Sequence, residues 1–512
     1  MRTGRRQRRP ALVAALVAAL LAVIAAYPNP VSAGPPDITG QTIDVEAEAG
    51  LVGRGVTVKP GAAVSAGEFV SFSGPAPRAS DRGVRIAGNR FLRDGAPFVP
   101  VGFTMVATVN PMGEGETAFA AQRLSDRDIE AAISWGANTL RFQVSQRGLD
   151  PTDGLYSDAY VNRIVDAVAL ARFRGLVVML SVQDQGPSGG GSHGQPSAAT
   201  IRDWETLTGR FNGDPDVMYE IFNEPHSPPT PAGWAVWRNG GPAGGNQGTP
   251  AVGHQRVLDA IRATGSANVV VADAGQFGQR LDGIPLLHDP LGQVAYGIHP
   301  YLTHTLRTPA DWQPGFGFLA TQYPVVATEW TANSKVKFCH PEWGTTAPQL
   351  VSFLQARDIG MLAWAFDVLD SLIVDWRHTP TSLEGFQCGE FDHGAGALLK
   401  ARMPEWGPHL SPCETGLSDE GAVALPLDVA HAGTYRLWSR VTGPGVSWFQ
   451  VDDRCPVPAS TGAGQNAAWS WQSGPQLNLG AGLHTLRFFG AAGGVSLDRV
   501  VLTTDPGWSS PL

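Results

Sequence analysis

The chain is poor in the residues that mark a metalloenzyme, a nucleic-acid binder or a membrane protein. Of 512 residues only 4 are cysteine, and the 12 histidines are scattered, with no His-x-x-x-His pair and no Cys/His cluster of ligand spacing. No metal is therefore expected in catalysis. Charged residues make up 16% of the chain and the formal net charge is -9, which argues against nucleic acid or any other polyanion as partner. After the N-terminal segment no apolar run is long enough to cross a membrane. What the chain has in quantity is glycine, 62 residues, and tryptophan, 15, the composition of a loop-rich protein that presents aromatic surfaces. A neutral polymer is the more natural ligand.

The N-terminus carries Arg2, Arg5, Arg6, Arg8 and Arg9, then an apolar stretch from Ala11 to Ala26, then Val31-Ser32-Ala33 with small residues where a signal peptidase cuts. Residues 1–33 read as a secretory signal, so the mature protein is expected to be extracellular, free of the membrane, and a monomer. A retained anchor is the other reading, and the stretch is short for it. Export makes disulfides the expected state of the cysteines. Of the three connectivities, Cys339 with Cys388 and Cys413 with Cys455 keep each pair inside one domain.

With 43% hydrophobic side chains the chain can bury more than one core, so two domains are expected. The larger lies at 82–405. There, eight short apolar runs end at polar residues: Pro97 to Phe103, Asn138 to Val144, Leu176 to Val182, Val217 to Phe222, Asn268 to Asp273, Val294 to His299, Pro324 to Thr328 and Gly360 to Phe366. Such runs read as buried parallel strands, and helix-like stretches separate most of them. Ser125 to Trp135 and Ser157 to Phe173 show helical periodicity, each ending before a glycine, Gly136 and Gly175. The order implies an α/β fold, a (β/α)8 TIM barrel.

Two of these runs end in glutamates, Glu224 in Ile221-Phe222-Asn223-Glu224-Pro225-His226 and Glu329 in Val325-Val326-Ala327-Thr328-Glu329-Trp330. Carboxyl ends of barrel strands are where catalytic groups sit. Hydrolysis of a glycosidic bond needs an acid to protonate the leaving oxygen and a carboxylate on the other side of the sugar, and two such glutamates supply both. Glu224 is assigned as acid/base, with Asn223 beside it to hydrogen-bond a sugar hydroxyl. Glu329 is assigned as nucleophile, with Arg141 at the end of the second strand to hold it charged. Taken singly, each glutamate reads as well as a solvated loop residue or a helix cap.

The 85–400 segment resembles glycoside hydrolase family 5, the cellulase family. The residues that carry the resemblance are Arg141, Asn223-Glu224-Pro225, His299-Pro300-Tyr301, Thr328-Glu329-Trp330 and Trp364 in Leu362-Ala363-Trp364-Ala365-Phe366. The resemblance implies that His299 and Tyr301 flank the nucleophile, that Tyr301 is hydrogen-bonded to Glu329, and that Trp364 is the stacking floor under the sugar at the cleavage point. One departure stands out. Where many members carry histidine after strand 3, this chain reads Leu180-Ser181-Val182-Gln183-Asp184-Gln185, and Gln183 donates a hydrogen bond without titrating near neutral pH. Loops at 188–194 and 239–246, with Trp234, Trp237, Trp312, Trp343 and Trp376, are further material for a cleft, and loop packing is the plainer reading of each tryptophan.

From residue 415 to 505 the pattern changes to short alternating runs with Gly and Pro turns, an accessory all-β sandwich. Gly433-Thr434-Tyr435-Arg436-Leu437-Trp438 and Val495-Ser496-Leu497-Asp498-Arg499-Val500-Val501-Leu502 resemble carbohydrate-binding modules of families 6 and 35. The Glu-Ala-Glu strand that opens such modules stands at the other end of the chain, in Ile43-Asp44-Val45-Glu46-Ala47-Glu48-Ala49, so residues 41–75 are expected to complete the sandwich. By the same resemblance Glu46, Glu48 and Asp498 would share a structural calcium. Residues 34–80 as a mobile linker, with the carboxylates solvated, is the competing reading.

Taken together, the expectation is a secreted retaining glycoside hydrolase acting on β-linked polysaccharide, an endo-β-1,4-glucanase first. A β-mannanase, an exo-acting glycosidase, and a non-catalytic carbohydrate-binding protein are the alternatives.

Overall fold

The computed structural model describes residues 40–52, 56–72, 83–110, 124–183, 193–242, 248–302, 305–335, 339–390, 393–406, 421–443, 447–452, 454–459, 468–490 and 494–509. The segment read as a signal, Cys413, and residues 188–192 and 243–246 of the glycine-rich loops lie outside the described residues.

Eight parallel strands close into a barrel. They are β1 (Val101–Met105), β2 (Thr139–Ser145), β3 (Val177–Gln183), β4 (Val217–Glu220), β5 (Val270–Asp273), β6 (Val294–Ile298), β7 (Val325–Trp330) and β8 (Gly360–Ala363). Parallel neighbours need crossovers, and the long ones here are helices: α1 (Asp126–Ser134), α2 (Asp158–Arg172), α3 (Ala198–Phe211), α4 (Pro231–Asn239), α5 (His254–Ala263) and α6 (Trp343–Gln355). Local signals explain where they begin. Asp128 accepts the Ser125 N–H at 2.9 Å to cap α1, and the Ser157 hydroxyl accepts the Tyr160 N–H at 3.2 Å to cap α2.

The first apolar run, Pro97 to Phe103, is not one strand. Ala96–Phe98 forms a small antiparallel sheet with Arg90–Arg93 and Val84–Ala87, and β1 starts only at Val101. Pro97 and Pro100 lack the N–H a central ladder needs, which places the break between them.

Side chains alternate along each strand, and the inward set changes character from one end to the other. At the amino ends Met179, Met218, Val271, Ala295, Val326 and Leu362 pack with Val84, Ile86, Phe91 and Phe98 of the small sheet, which plugs the barrel floor. Two residues further on, the same columns carry Ser181, Glu220, Asp273 and Thr328, all fully buried. The polar network therefore forms at the carboxyl ends. The outward set packs on the helices, with Trp135, Trp204, Trp237, Trp312 and Trp343 among the largest fully buried side chains. Burial of each such residue stabilises by about 1.5–3 kcal/mol. Trp237, Trp312 and Trp343 donate their indole N–H to the carbonyls of Asp273, Leu306 and Leu302, and Trp234 is 6% exposed, so these four pack loops and do not line a cleft.

The sandwich is made of two antiparallel sheets. One holds Ser470–Leu479, Gly433–Thr442, Ser496–Thr503, Glu68–Phe72 and Val56–Pro60, with Thr42–Glu46 also hydrogen-bonded along Ser496–Thr503. The other holds Val457–Pro458, Ser447–Val451, Gly482–Gly490, Ala422–Val429 and Leu51–Val52. Its core draws Ala47, Val56, Val70 and Phe72 from the N-terminal part, and Ala169 and Phe173 from the barrel around α2. Arg436 reaches across to α2 and grips Asp166 with two bonds of 2.6 and 2.8 Å.

Cys339 and Cys388 are bonded, their Cα atoms 5.7 Å apart, and join the segments that follow β7 and β8. Cys455 is also disulfide-bonded.

Candidate active site

Arg141 is the hub. It lies on β2, fully buried, and its guanidinium takes Glu220 on β4 in a two-pronged grip at 2.6 and 2.7 Å. The remaining donors reach Glu329 Oε2 at 3.0 Å, Asn223 Oδ1 at 2.6 Å and Ser181 Oγ at 2.9 Å. Only the planar five-donor fork of arginine spans so many acceptors at once. Glu329 stands where the β7–β8 register shifts between Ala327 and Trp330, an irregularity that re-aims a side chain at a strand end. It is 7% exposed and receives three donors: Arg141, Gln143 Nε2 at 3.1 Å and the Tyr301 hydroxyl at 2.9 Å. Burial and the nearby Glu329 and Glu224 carboxylates hold the Tyr301 hydroxyl well above its ordinary range, so it remains a donor.

Glu224 follows β4 with a left-handed backbone, φ 52°, a conformation that costs a non-glycine residue free energy and that active sites often carry. Its Oε1 is 3.1 Å from Nδ1 of His299, which is fully buried, and Nε2 of the same ring is 3.2 Å from Asp273 Oδ2. Asp273 Oδ1 in turn accepts the Thr328 hydroxyl at 3.1 Å. The chain makes room for this with glycine: a Cβ at Gly297 would stand 1.9 Å from Asp273 Oδ1. Burial alone would pull His299 down, but Glu329, Asp273 and Glu224 outweigh it and hold the imidazole well above its usual value. Asp273 shows the reciprocal effect. Burial pushes its carboxyl up, the imidazolium pulls it further down, and it settles at about 2. Glu224 is pushed up by burial and by Glu329, with His299 opposing. One atom each of Glu224, His299 and Glu329 lie within 4.8 Å of one another.

The sequence profile described as Cellulase (glycosyl hydrolase family 5) matches residues 102–369, more than half of the chain and the whole of this site. The chain belongs to glycoside hydrolase family 5. It is a glycoside hydrolase. Among solved structures it is similar to a beta-glucanase from Saccharophagus degradans in complex with cellotetraose, at 21% identity and TM-score 0.48, over 63% of this chain and 93% of that one. It is also similar to the catalytic domain of a mannanase from Streptomyces sp. SirexAA-E, at 20% identity and TM-score 0.42, over 59% and 88%. No curated protein matches it.

The hydrolase keeps its remaining candidate residues around the same opening. Trp364 follows β8, half-buried, with a cis peptide bond to Ala365, and donates its N–H to the Trp330 carbonyl at 2.8 Å. Beyond it Asp367 accepts the N–H groups of Val106 and Ala107, which fastens the segment after β1 to the segment after β8. Gln183 ends β3, in register with Ser145 on β2. Sequence reasoning missed Glu220, Asp273 and Gln143. A signal existed for the first two, since a carboxylate inside or at the end of a buried run must have a partner, but nothing in the chain names that partner.

Two sets of side chains in the hydrolase have the spacing of a metal site, Glu220 with Asp273 and His299, and Glu224 with His299 and Glu329. Both rely on His299, whose two nitrogens each face a carboxylate, and an imidazolium has no lone pair to give. In the sandwich, Asp498 accepts Arg440 Nη1 at 2.6 Å and the Ser65 N–H and hydroxyl at 3.1 Å each. Ser65 also donates to Glu46 Oε2 at 2.5 Å. Burial, with help from Glu46, Asp498 and Glu68, pushes Glu48 up, and its Oε2 is buried with no hydrogen-bond partner. Among the described residues Glu46, Glu48 and Asp498 do not form a set within 4.8 Å of one another.

Proposed function

We propose that the protein is a secreted hydrolase of β-linked polysaccharide, β-1,4-glucan before β-mannan, acting by double displacement. The observation that carries the mechanism is the closeness of the two carboxylates. Retaining enzymes hold theirs about 5–5.5 Å apart, while inverting ones leave about 6.5–9.5 Å for a water molecule between carboxylate and sugar. An oxygen of Glu224 and one of Glu329 lie within 4.8 Å of each other, which supports the shorter, retaining spacing. Glu329, gripped by Arg141, Gln143 and Tyr301, attacks the anomeric carbon as the glycosidic C–O bond breaks, and Glu224 gives its proton to the departing oxygen. Water then enters, Glu224 takes a proton from it, and the glycosyl ester on Glu329 is released as free sugar of unchanged anomeric configuration. The raised Glu224 suits the first step, since a general acid must start protonated. Trp364 is the floor for the sugar, and Gln183 and Asn223 are donors or acceptors for its hydroxyls.

For the ends of the chain we propose one split module, residues 41–75 with 415–505, into which the barrel at 82–405 is inserted. The ladder from Thr42 to Glu46 along Ser496–Thr503 supports it. A calcium shared by Glu46, Glu48 and Asp498 stays a proposal supported by the unpartnered Glu48 oxygen. The set fits it poorly as arranged, because Arg440 already neutralises Asp498, and calcium binding would require that pair to open. Export rests on the leader-like segment at 1–33 and on the disulfides.

The test is hydrolysis of a polysaccharide panel by the mature protein beside Glu224→Gln and Glu329→Gln, scored by reducing ends, product length and product anomer. Activity on one polymer, lost in both variants and with retained configuration, is expected. Inverted product contradicts the mechanism. A single short product in place of a ladder makes the enzyme exo-acting, and no turnover on any polymer leaves a carbohydrate-binding protein.

A further inference from the structure

The segment after β5 presents Phe277, 46% exposed and the most exposed aromatic side chain among the described residues. Its backbone is left-handed, φ 60° and ψ 43°, and so is that of Gln276 before it, φ 54° and ψ 55°. Two consecutive non-glycine residues in this region cost free energy that neighbours must repay, and such costs concentrate at functional sites. Here the neighbours are the catalytic segments themselves. Gln276 N–H donates to the Ser227 carbonyl at 2.7 Å and Phe277 N–H to the Pro225 carbonyl at 2.9 Å, immediately after Glu224. On the other side His299 N–H donates to the Gly278 carbonyl at 2.6 Å.

The ring of Phe277 lies against that of His226, centroids 4.2 Å apart and planes at 41°. His226 is fixed from behind: its N–H donates to the Gly194 carbonyl at 2.8 Å, and a Cβ at Gly194 would come within 2.2 Å of its Nδ1. The result is a two-ring shelf, open to solvent and locked to the backbone that carries the acid/base. In the closed ring of strands β4 and β5 stand opposite β8 and β1, so the segments that carry the shelf and Trp364 leave the barrel on opposite sides of its mouth.

We propose that Phe277 and His226 form a platform for the sugar on the leaving-group side of the cleavage point. The proposal rests on the reading of Glu224 as acid/base: the residue that protonates the departing oxygen sits on the side from which the leaving sugar goes, and the shelf continues from that residue. A pyranose presents an apolar C–H face that an aromatic ring matches. Burial pulls His226 below its ordinary value, which leaves a neutral ring for stacking.

The experiment compares Phe277→Asn and Phe277→Trp with the wild type on two substrates. Asparagine tolerates the left-handed backbone and so keeps the turn; tryptophan restores a ring. One substrate is an oligosaccharide of the accepted polymer, which places sugar on both sides of the cleaved bond. The other is the matching β-disaccharyl fluoride, whose leaving group is a bare fluoride that leaves the shelf empty. For Phe277→Asn the ratio of kcat/KM on the oligosaccharide to kcat/KM on the fluoride is expected to fall by about tenfold, and for Phe277→Trp to hold or rise. A ratio unchanged in Phe277→Asn overturns the shelf while fluoride turnover keeps the Glu329 reading. A wild-type enzyme inert on both substrates overturns the catalytic reading and the shelf with it.

Discussion

Replacing Arg141 with methionine keeps the length of the side chain and removes its charge. Glu220, Asp273 and Glu329 would then share a buried space with His299 as the one remaining cation among the groups that now face them. Removing one partner of a buried pair costs about 3–5 kcal/mol, because the surviving charge stays desolvated and unmatched. At about 2–4 °C per kcal/mol for a large domain, the melting temperature should drop by roughly 10 °C. Glu220 is the carboxyl most exposed to this loss, since burial already pushes it up and Arg141 is the group that opposes the rise. Adding Glu220→Gln to Arg141→Met should therefore recover part of the loss, with a coupling of about 1–3 kcal/mol in the double-mutant cycle. Urea unfolding followed by tryptophan fluorescence measures all four proteins of the cycle. A single-variant loss under about 1 kcal/mol, the scale of an exposed pair, or a cycle that closes with no coupling would refute the claim that this guanidinium holds a dry carboxylate cluster together.

Activity should fall as pH rises through the Glu224 value, since its proton is needed, and the alkaline limb should lie above the ordinary glutamate range. In His299→Asn the group that opposes the rise of Glu224 is gone, so that limb should move to higher pH while kcat drops; a limb that moves to lower pH contradicts the pairing of the two side chains. Gly297→Ala puts a methyl 1.9 Å from Asp273 Oδ1 and should cost about 1–3 kcal/mol with loss of activity, read by melting and by kcat; a variant as stable and active as the parent would show that Asp273 has room to move. Deleting residues 34–80 strips Val56, Val70 and Phe72 from the sandwich core, roughly 5–9 kcal/mol as an upper bound and comparable with the whole stability of a small domain, so limited proteolysis should degrade 415–505. Resistance equal to the parent's would mean that the C-terminal strands stand alone.

Much of the barrel was legible because its strands are buried on both faces and so appear as apolar runs. The run from Val217 to Phe222 led to Glu224, and Val325 to Thr328 led to Glu329. The sandwich strands Ala422–Val429 and Ser447–Val451 were legible by alternation, since one face is wet. The break at Pro97 and Pro100 was written in the chain too, and was overlooked because the apolar run continued through it.

What the sequence by itself determined is the kind of enzyme, since carboxylates at the ends of buried runs with a family pattern around them point to a glycoside hydrolase. What only the tertiary structure decided is which charges meet. Arg141 and Glu329 are 188 positions apart, and His299 is 26 from Asp273 and 75 from Glu224. Periodicity reports which face a residue turns to and nothing about its partner across the barrel. The distances that hold Glu220, Asp273 and Gln143 in the network, and that fasten Phe277 to the segment after Glu224, arise when the closing of eight strands brings their carboxyl ends into one small polar volume.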